Sequence, residues 1–256
     1  MPSRLRVLYG VLGVAASLGA GVFLGRHLQS RIPPAAGAPA AGCPDAYVVD
    51  RFQQIWYDAK APWNNNRWMG IQAAQNPMDA WVIQEIIFDT RPDFIVECGA
   101  FHGGSAAAWA TFLKEANPSG RVISIDIEDR MQKARELPVV KERVEFLVGS
   151  STAPEIVGRV KERVGEKRAM VILDSLHTEE HVRRELELYS PLVRVGDYLI
   201  VQDTNVNGHP VQPGFGPGPQ EAVQAFLAST DAFAPDRSRE RLVLTFSPNG
   251  YLRRVK

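Results

Sequence analysis

Four acidic residues, Glu97, Asp126, Asp174 and Asp203, stand at or just past the ends of short apolar runs. A single acid there would be read as a turn cap, but four in register point to one crevice. Glu97 opens the stretch Glu-Cys-Gly-Ala-Phe-His-Gly-Gly-Ser ending at Ser105. Gly99 allows a sharp turn with no side chain between backbone and ligand. Gly103 and Gly104 allow close approach where the next helix starts, and its first amides favour a carboxylate. Glu97 can accept a hydrogen bond from an ammonium, and Asp126 can accept both hydroxyls of a ribose. The glycines do not follow G-x-G-x-x-G, which counts against a nicotinamide cofactor.

Asp174-Ser-Leu-His177 places a carboxylate and an imidazole close together. A histidine with a pKa near 6.5 suits a general base at neutral pH, although many histidines are structural. His181 is expected to face solvent or a helix neighbour. Asp203, flanked by Gln202 and Thr204, ends the next apolar run beside Asp174. Two converging carboxylates can hold magnesium, a hard cation that keeps several waters, and lower the pKa of an acceptor oxygen bound to it. The Gly/Pro-rich stretch from Asn205 to Pro219 reads as a substrate lid from which His209 reaches the acceptor, or else as a rigid surface excursion.

These residues need a frame. Apolar runs at Phe94–Cys98, Val122–Ile125, Val144–Val148, Met170–Leu173 and Tyr198–Val201 alternate with helical stretches, clearest at Ser105–Ala116 and Glu179–Tyr189. Near-continuous Val/Ile/Leu strands between helices predict a parallel sheet covered on both faces. Ligands then bind beyond the carboxyl ends of the strands. Leu242–Phe246 and Tyr251–Val255 are expected to close the sheet as an antiparallel hairpin across Ser247-Pro248-Asn249-Gly250. Upstream, Tyr47–Lys60 and Asp79–Asp89 have helical spacing, and Pro62–Gly70 between them reads as a loop over the site or on the surface.

Lysine plus arginine and aspartate plus glutamate number 29 each, so the formal net charge is zero and no nucleic-acid partner is expected. Two cysteines, Cys43 and Cys98, make neither a disulfide framework nor a zinc motif. The segment between Arg6 and Arg26 is uncharged and long enough to span about 30 Å of hydrocarbon. It is read as a transmembrane anchor over 1–27, with a cleaved signal peptide as the alternative. A Pro/Ala/Gly linker over 28–44 follows, and the globular domain covers 45–256.

From about Asp45 to Phe226 the chain resembles the cephalosporin hydroxylase / rhamnosyl O-methyltransferase family. The resemblance lies in E-C-G-A-F-H-G-G-S-A, I-S-I-D, L-D-S-L-H-T-x-x-H-V, and V-Q-D-T-x-V-N-G-H-P-V with its trailing G-F-G-P-G-P. It implies a Rossmann-like, class I S-adenosylmethionine (SAM) methyltransferase with a mostly parallel seven-stranded sheet, usually magnesium-assisted and acting on sugar or other hydroxyls. Carried over by position, Glu97, Gly99, Ala100, Gly104, Ser105, Asp126 and Asp174 would bind SAM. Asp174, Gln202 and Asp203 would hold magnesium, and Asp174 and His177 would be catalytic, with His177 as the base. Gln202 departs from the family, which tends to have an acid there. The word hydroxylase finds no support, because no two-histidine-one-carboxylate iron triad is recognisable. The acceptor implied is a small molecule or a glycolipid; an inactive, membrane-tethered binding module is the competing reading, and a homo-oligomer is left open. Because SAM is made in the cytosol, a single-pass protein with a cytoplasmic catalytic domain is expected.

Overall fold

The structure is a computed structural model, and residues 45–256 are described. The expected anchor over 1–27 and linker over 28–44 lie outside the described residues. Among the described residues, no helix is long and apolar enough to cross a membrane.

The described chain opens with α1 (Asp45–Asp58), α2 (Lys60–Asn65), the short strands β1 (Arg67–Trp68) and β2 (Ile71–Gln72), and α3 (Pro77–Thr90). The stretch expected as a loop is therefore a helical turn followed by a tight hairpin, with Arg67 opposite Gln72. Asn76 caps α3 by accepting from the Met78 amide at 3.1 Å, and Pro77 occupies the first turn, where its missing N–H costs nothing. Then follow β3 (Phe94–Cys98), α4 (Gly104–Ala116), β4 (Arg121–Asp126), α5 (Pro138–Arg143) and β5 (Val144–Val148). The chain continues through α6 (Pro154–Val164), β6 (Ala169–Leu173), α7 (Glu179–Tyr189), β7 (Tyr198–Val201), α8 (Pro219–Ser229), β8 (Phe233–Pro235) and β9 (Tyr251–Arg254).

Seven of these strands form one sheet in the order β5-β4-β3-β6-β7-β9-β8. The first five are parallel, and β9 runs antiparallel to both β7 and β8. Alternation along the strands sends Val96, Cys98, Val171 and Leu173 to one face, against α6, α7 and α8. Ile95, Met170 and Ile172 go to the other, against α3 and α4. Both faces are buried, which is why the strands read as unbroken apolar runs. The chain winds outward from β3 to β5 and returns to β6, so the topological switch point lies between β3 and β6.

The closing hairpin differs from expectation: β9 pairs with Phe233–Pro235, not with Leu242–Phe246. The reason is Asp79, buried in the first turn of α3. Its carboxylate accepts from Thr245 Oγ1 at 2.6 Å, the Phe246 amide at 2.8 Å and Tyr251 Oη at 2.9 Å. These bonds pull 245–246 down onto α3 and away from a ladder.

Candidate active site

A cleft of about 760 Å³ opens at the carboxyl ends of the strands, at the switch point. Its walls include Gly99, Ala100, Ser105, Asp126, Asp174, His177 and Asp203, so most of the residues singled out in the sequence do meet. A second groove, of about 580 Å³ and lined largely by Trp, Phe and Ala, shares Ala73, Gln75 and Ser105 with it.

Gly99 has φ +103°, and a Cβ there would fall 1.9 Å from the Asp174 carbonyl oxygen. The bare backbone thus lets the ends of β3 and β6 close on each other. The expectation that Gly103 and Gly104 make room for a ligand needs correction. A Cβ on Gly104 would lie 2.3 Å from the Gln72 carbonyl oxygen, and one on Gly103 would lie 2.8 Å from Ala134 Cβ. Protein occupies both spaces, and Gly104 does not line the cleft.

Glu97 is corrected as well. It is fully buried and behind the wall, accepting from Trp109 Nε1 at 2.7 Å and from the Ser124 hydroxyl. Burial pushes its carboxyl up to about 7, despite the bonds from Ser124, Ser105 and Trp109. Its reach into the cleft runs through Ser105. Asp126 stays at the wall: Oδ2 takes the Phe101 amide at 2.7 Å and Oδ1 the Glu128 amide at 3.0 Å, leaving lone pairs for a diol. Phe101 has φ +49°, the left-handed turn that accompanies this bond.

At the other end, Asp174, His177 and Asp203 offer ligand atoms all within 4.8 Å of one another. The His177 ring lies between the acids, Nε2 3.4 Å from Asp174 Oδ1 and Nδ1 3.5 Å from Asp203 Oδ2. Burial works against its charged form, but the Asp203 and Asp174 carboxylates outweigh that and raise its pKa to about 9. Burial pushes both acids up, Asp203 to about 7. A pair of desolvated carboxylates this close calls for positive charge between them, and that donor chemistry fits a hard divalent cation. Asp203 adopts φ +53°, a left-handed backbone seldom held without surrounding support.

Gln202 lies beside this cluster, in a small pocket that it lines together with Asp174 and Asp203. Its Nε2 donates to Gln75 Oε1 at 2.8 Å and its Oε1 accepts from Gln75 Nε2 at 3.0 Å. Gln75 Nε2 also donates to Asp174 Oδ2 at 2.8 Å. The amide expected to ligate is thus hydrogen-bonded to Gln75, which in turn braces Asp174, and its oxygen keeps a second lone pair. His209 is corrected too: its Nε2 sits 3.0 Å from Glu221 Oε1, and it is Gln212 of the same loop that lines the cleft. His181 contacts its helix neighbour Glu185, as expected, but also stands in the cleft wall.

Sequence reasoning missed Gln75, Tyr57, Gly149, Ser150, Ser151, Ser175 and Leu176, all in the walls, whereas Trp63, also in the wall, belongs to the stretch read as a loop over the site or on the surface. The run of Trp and Asn near residue 63 was the available signal for the aromatic side. There Trp56, Tyr57, Trp63 and Phe246 stack edge-on or tilted, with ring centroids 4.8–5.8 Å apart.

Residues 60–255 match the family described as Rhamnosyl O-methyltransferase/CmcI. The chain is 35% identical over 215 residues to a rhamnosyl O-methyltransferase of Mycobacterium tuberculosis (strain ATCC 25618 / H37Rv), covering 82% of this chain and 86% of that protein. Its counterpart from Mycobacterium leprae (strain TN) is 36% identical over 215 residues, with 82% and 91% covered. Among solved structures, cmcI-D160 with Mg and SAM superposes with a TM-score of 0.58 at 21% identity, over 88% of this chain and 90% of that one. TomG from Streptomyces achromogenes gives 0.50 at 18% identity, over 75% and 81%. At such identities these structures speak for the fold alone, while the sequence matches speak for the family. The chain belongs to the rhamnosyl O-methyltransferase/CmcI family and is a SAM-dependent O-methyltransferase.

Proposed function

We propose that the protein methylates a hydroxyl of a sugar-like or lipid-linked acceptor, with Asp174 and Asp203 as the magnesium ligands and His177 as the base. The observation that carries this reading is the placing of His177 between two buried carboxylates, in one cleft with Gly99, Ser105 and Asp126. The cleft would hold SAM as the source of an electrophilic methyl, and Asp174 and Asp203 would hold magnesium, which would supply Lewis acidity and offset the charge of the two acids. Asp126 takes the ribose hydroxyls, and Ser105 meets the amino-acid end. Tyr57 and Trp63 line the cleft, and an acceptor packed against them would have its hydroxyl aligned with the methyl. His177 removes the hydroxyl proton at a ring nitrogen and needs to be neutral to do so, a state that charge compensation at Asp174 and Asp203 favours.

Transfer of a labelled methyl from SAM to a panel of rhamnosides, other glycosides and glycolipids tests this reading. Turnover with at least one glycoside is expected, with loss on chelation and recovery with magnesium. His177→Ala is expected to lower kcat by about 100-fold or more while leaving S-adenosylhomocysteine affinity within about threefold. Chelator-resistant transfer, or a His177→Ala enzyme as fast as the parent, would reject the assignment. We also propose that the N-terminal segment anchors the chain with its catalytic domain in the cytoplasm. A reporter fused after Lys256 that works only on the far side of the membrane would overturn that.

A further inference from the structure

Beneath one end of the cleft lies a buried acid that the proposed chemistry does not use. Glu185, on α7, has no exposed surface, and its only ion-pair partner among the described residues is His181. Ser151 Oγ donates to Glu185 Oε1 at 2.5 Å, and Ser175 Oγ donates to the same oxygen at 2.7 Å. His181 Nε2 lies 3.4 Å from that oxygen and 3.1 Å from Ser151 Oγ. The other oxygen, Oε2, is buried with no hydrogen-bond partner. The Tyr189 hydroxyl fixes the Ser151 backbone by donating to its carbonyl at 2.7 Å.

This arrangement fixes the direction of the hydrogen bonds made by Ser151, Ser175 and His181. A serine hydroxyl has one proton, so Ser151 and Ser175, having given theirs to Glu185, can only accept from anything else. Ser151 then has no proton left for His181. The His181 Nε2 must therefore carry the hydrogen, and a neutral ring keeps Nδ1 as an acceptor. All three side chains line the cleft. The wall they form offers lone pairs and no hydroxyl proton.

Two apolar side chains mark what lies against this wall. Ile127, past the end of β4, is 72% exposed, and Leu176, past the end of β6, is 57% exposed; both line the cleft. Large apolar groups left this open beside a polar wall suit the faces of a flat heterocycle. With the ribose at Asp126 and the reacting end at Asp174 and Asp203, the base falls at Gly149–Ser151.

We propose that Glu185 is a positioning residue for cofactor selection. By consuming the protons of Ser151, Ser175 and His181, it makes the wall accept from a purine bearing an exocyclic amine and disfavour one bearing an oxo group. This rests on the reading of the cleft as a SAM site.

The test compares the affinities of S-adenosylhomocysteine and S-inosylhomocysteine by calorimetry, using the full chain. The parent protein is expected to favour the adenosyl ligand at least tenfold. Glu185→Gln supplies an N–H that can donate to Ser151 and turn the serine proton outward, so the preference should narrow at least threefold. Should Glu185→Gln fail to fold, Ser151→Ala serves, with loss expected for the adenosyl ligand and little change for the inosyl one. A parent protein that binds both ligands equally, or variants that weaken both by the same factor, overturn the proposal and leave the SAM reading standing. A parent that binds neither overturns the SAM reading itself.

Discussion

Asp174 is where several residue-scale effects meet. Its backbone touches Gly99, one of its oxygens faces His177, and the other accepts from Gln75. Partners that orient a metal ligand commonly govern affinity by about 10–100-fold. Gln75→Ala should therefore weaken magnesium binding, measured by calorimetry on the free enzyme, by about tenfold. An unchanged affinity would mean that Gln75 only fills space. Gly99→Ala should be far more damaging. The new methyl meets the Asp174 carbonyl, and the glycine φ is one L residues rarely adopt. A loss of about 3 kcal/mol or more is expected in urea unfolding, because backbone rather than a pliable side chain stands in the way. Of the residues read from the sequence, Asp126, Asp174, His177 and Asp203 reach the cleft as expected. Glu97 and Gly104 do not, because burial and backbone contact are absent from a linear pattern.

At the scale of elements, one acid gathers several groups of the loop between β7 and α8. Glu221, in the first turn of α8, accepts from the Gly218 amide at 2.8 Å and Asn207 Nδ2 at 3.0 Å, and meets His209 at 3.0 Å. Burial raises its pKa, but His209, the Gly218 amide and Asn207 outweigh that and hold it at about 2. A depressed pKa means that the carboxylate stabilises the fold above its ordinary value of 4.5 and that this is lost as pH falls towards 2. Glu221→Gln should therefore be less stable than the parent at pH 7, and the gap should close across that acid range in urea melts. A gap that is constant with pH would contradict it. The parallel strands were legible because burial on both faces leaves uninterrupted apolar runs. The edge hairpin was misread because Leu242–Phe246 is as apolar as a strand but is held by Asp79, far away in sequence.

Over the whole molecule, the cleft is assembled from segments far apart in the chain. Asn205 Nδ2 donates to Gln53 Oε1 at 3.2 Å and Gln54 Nε2 to the Pro210 carbonyl at 3.1 Å, so α1 braces the loop after β7. Trp56, Tyr57 and Trp63 meet Phe246 from the other end of the sequence. A ligand filling such a composite site stabilises the described domain as a unit. S-adenosylhomocysteine at about 100 times its Kd adds about 2.7 kcal/mol, which for a domain of this size should raise Tm by roughly 5–10 °C. Scanning fluorimetry reads this directly, and no shift at saturation would count against the cleft as the cofactor site.

The sequence by itself determined the alternation of strand and helix, the acids at strand ends and the family, because periodicity and short motifs are local properties of a chain. Tertiary structure alone decided which groups face the cleft. Gln202 turned to Gln75, His209 turned to Glu221, and Glu185 gathered Ser151, Ser175 and His181 beneath the wall. Each of these outcomes is a competition among polar partners for a limited number of hydrogen bonds. Such a competition is settled only when distant segments are packed together.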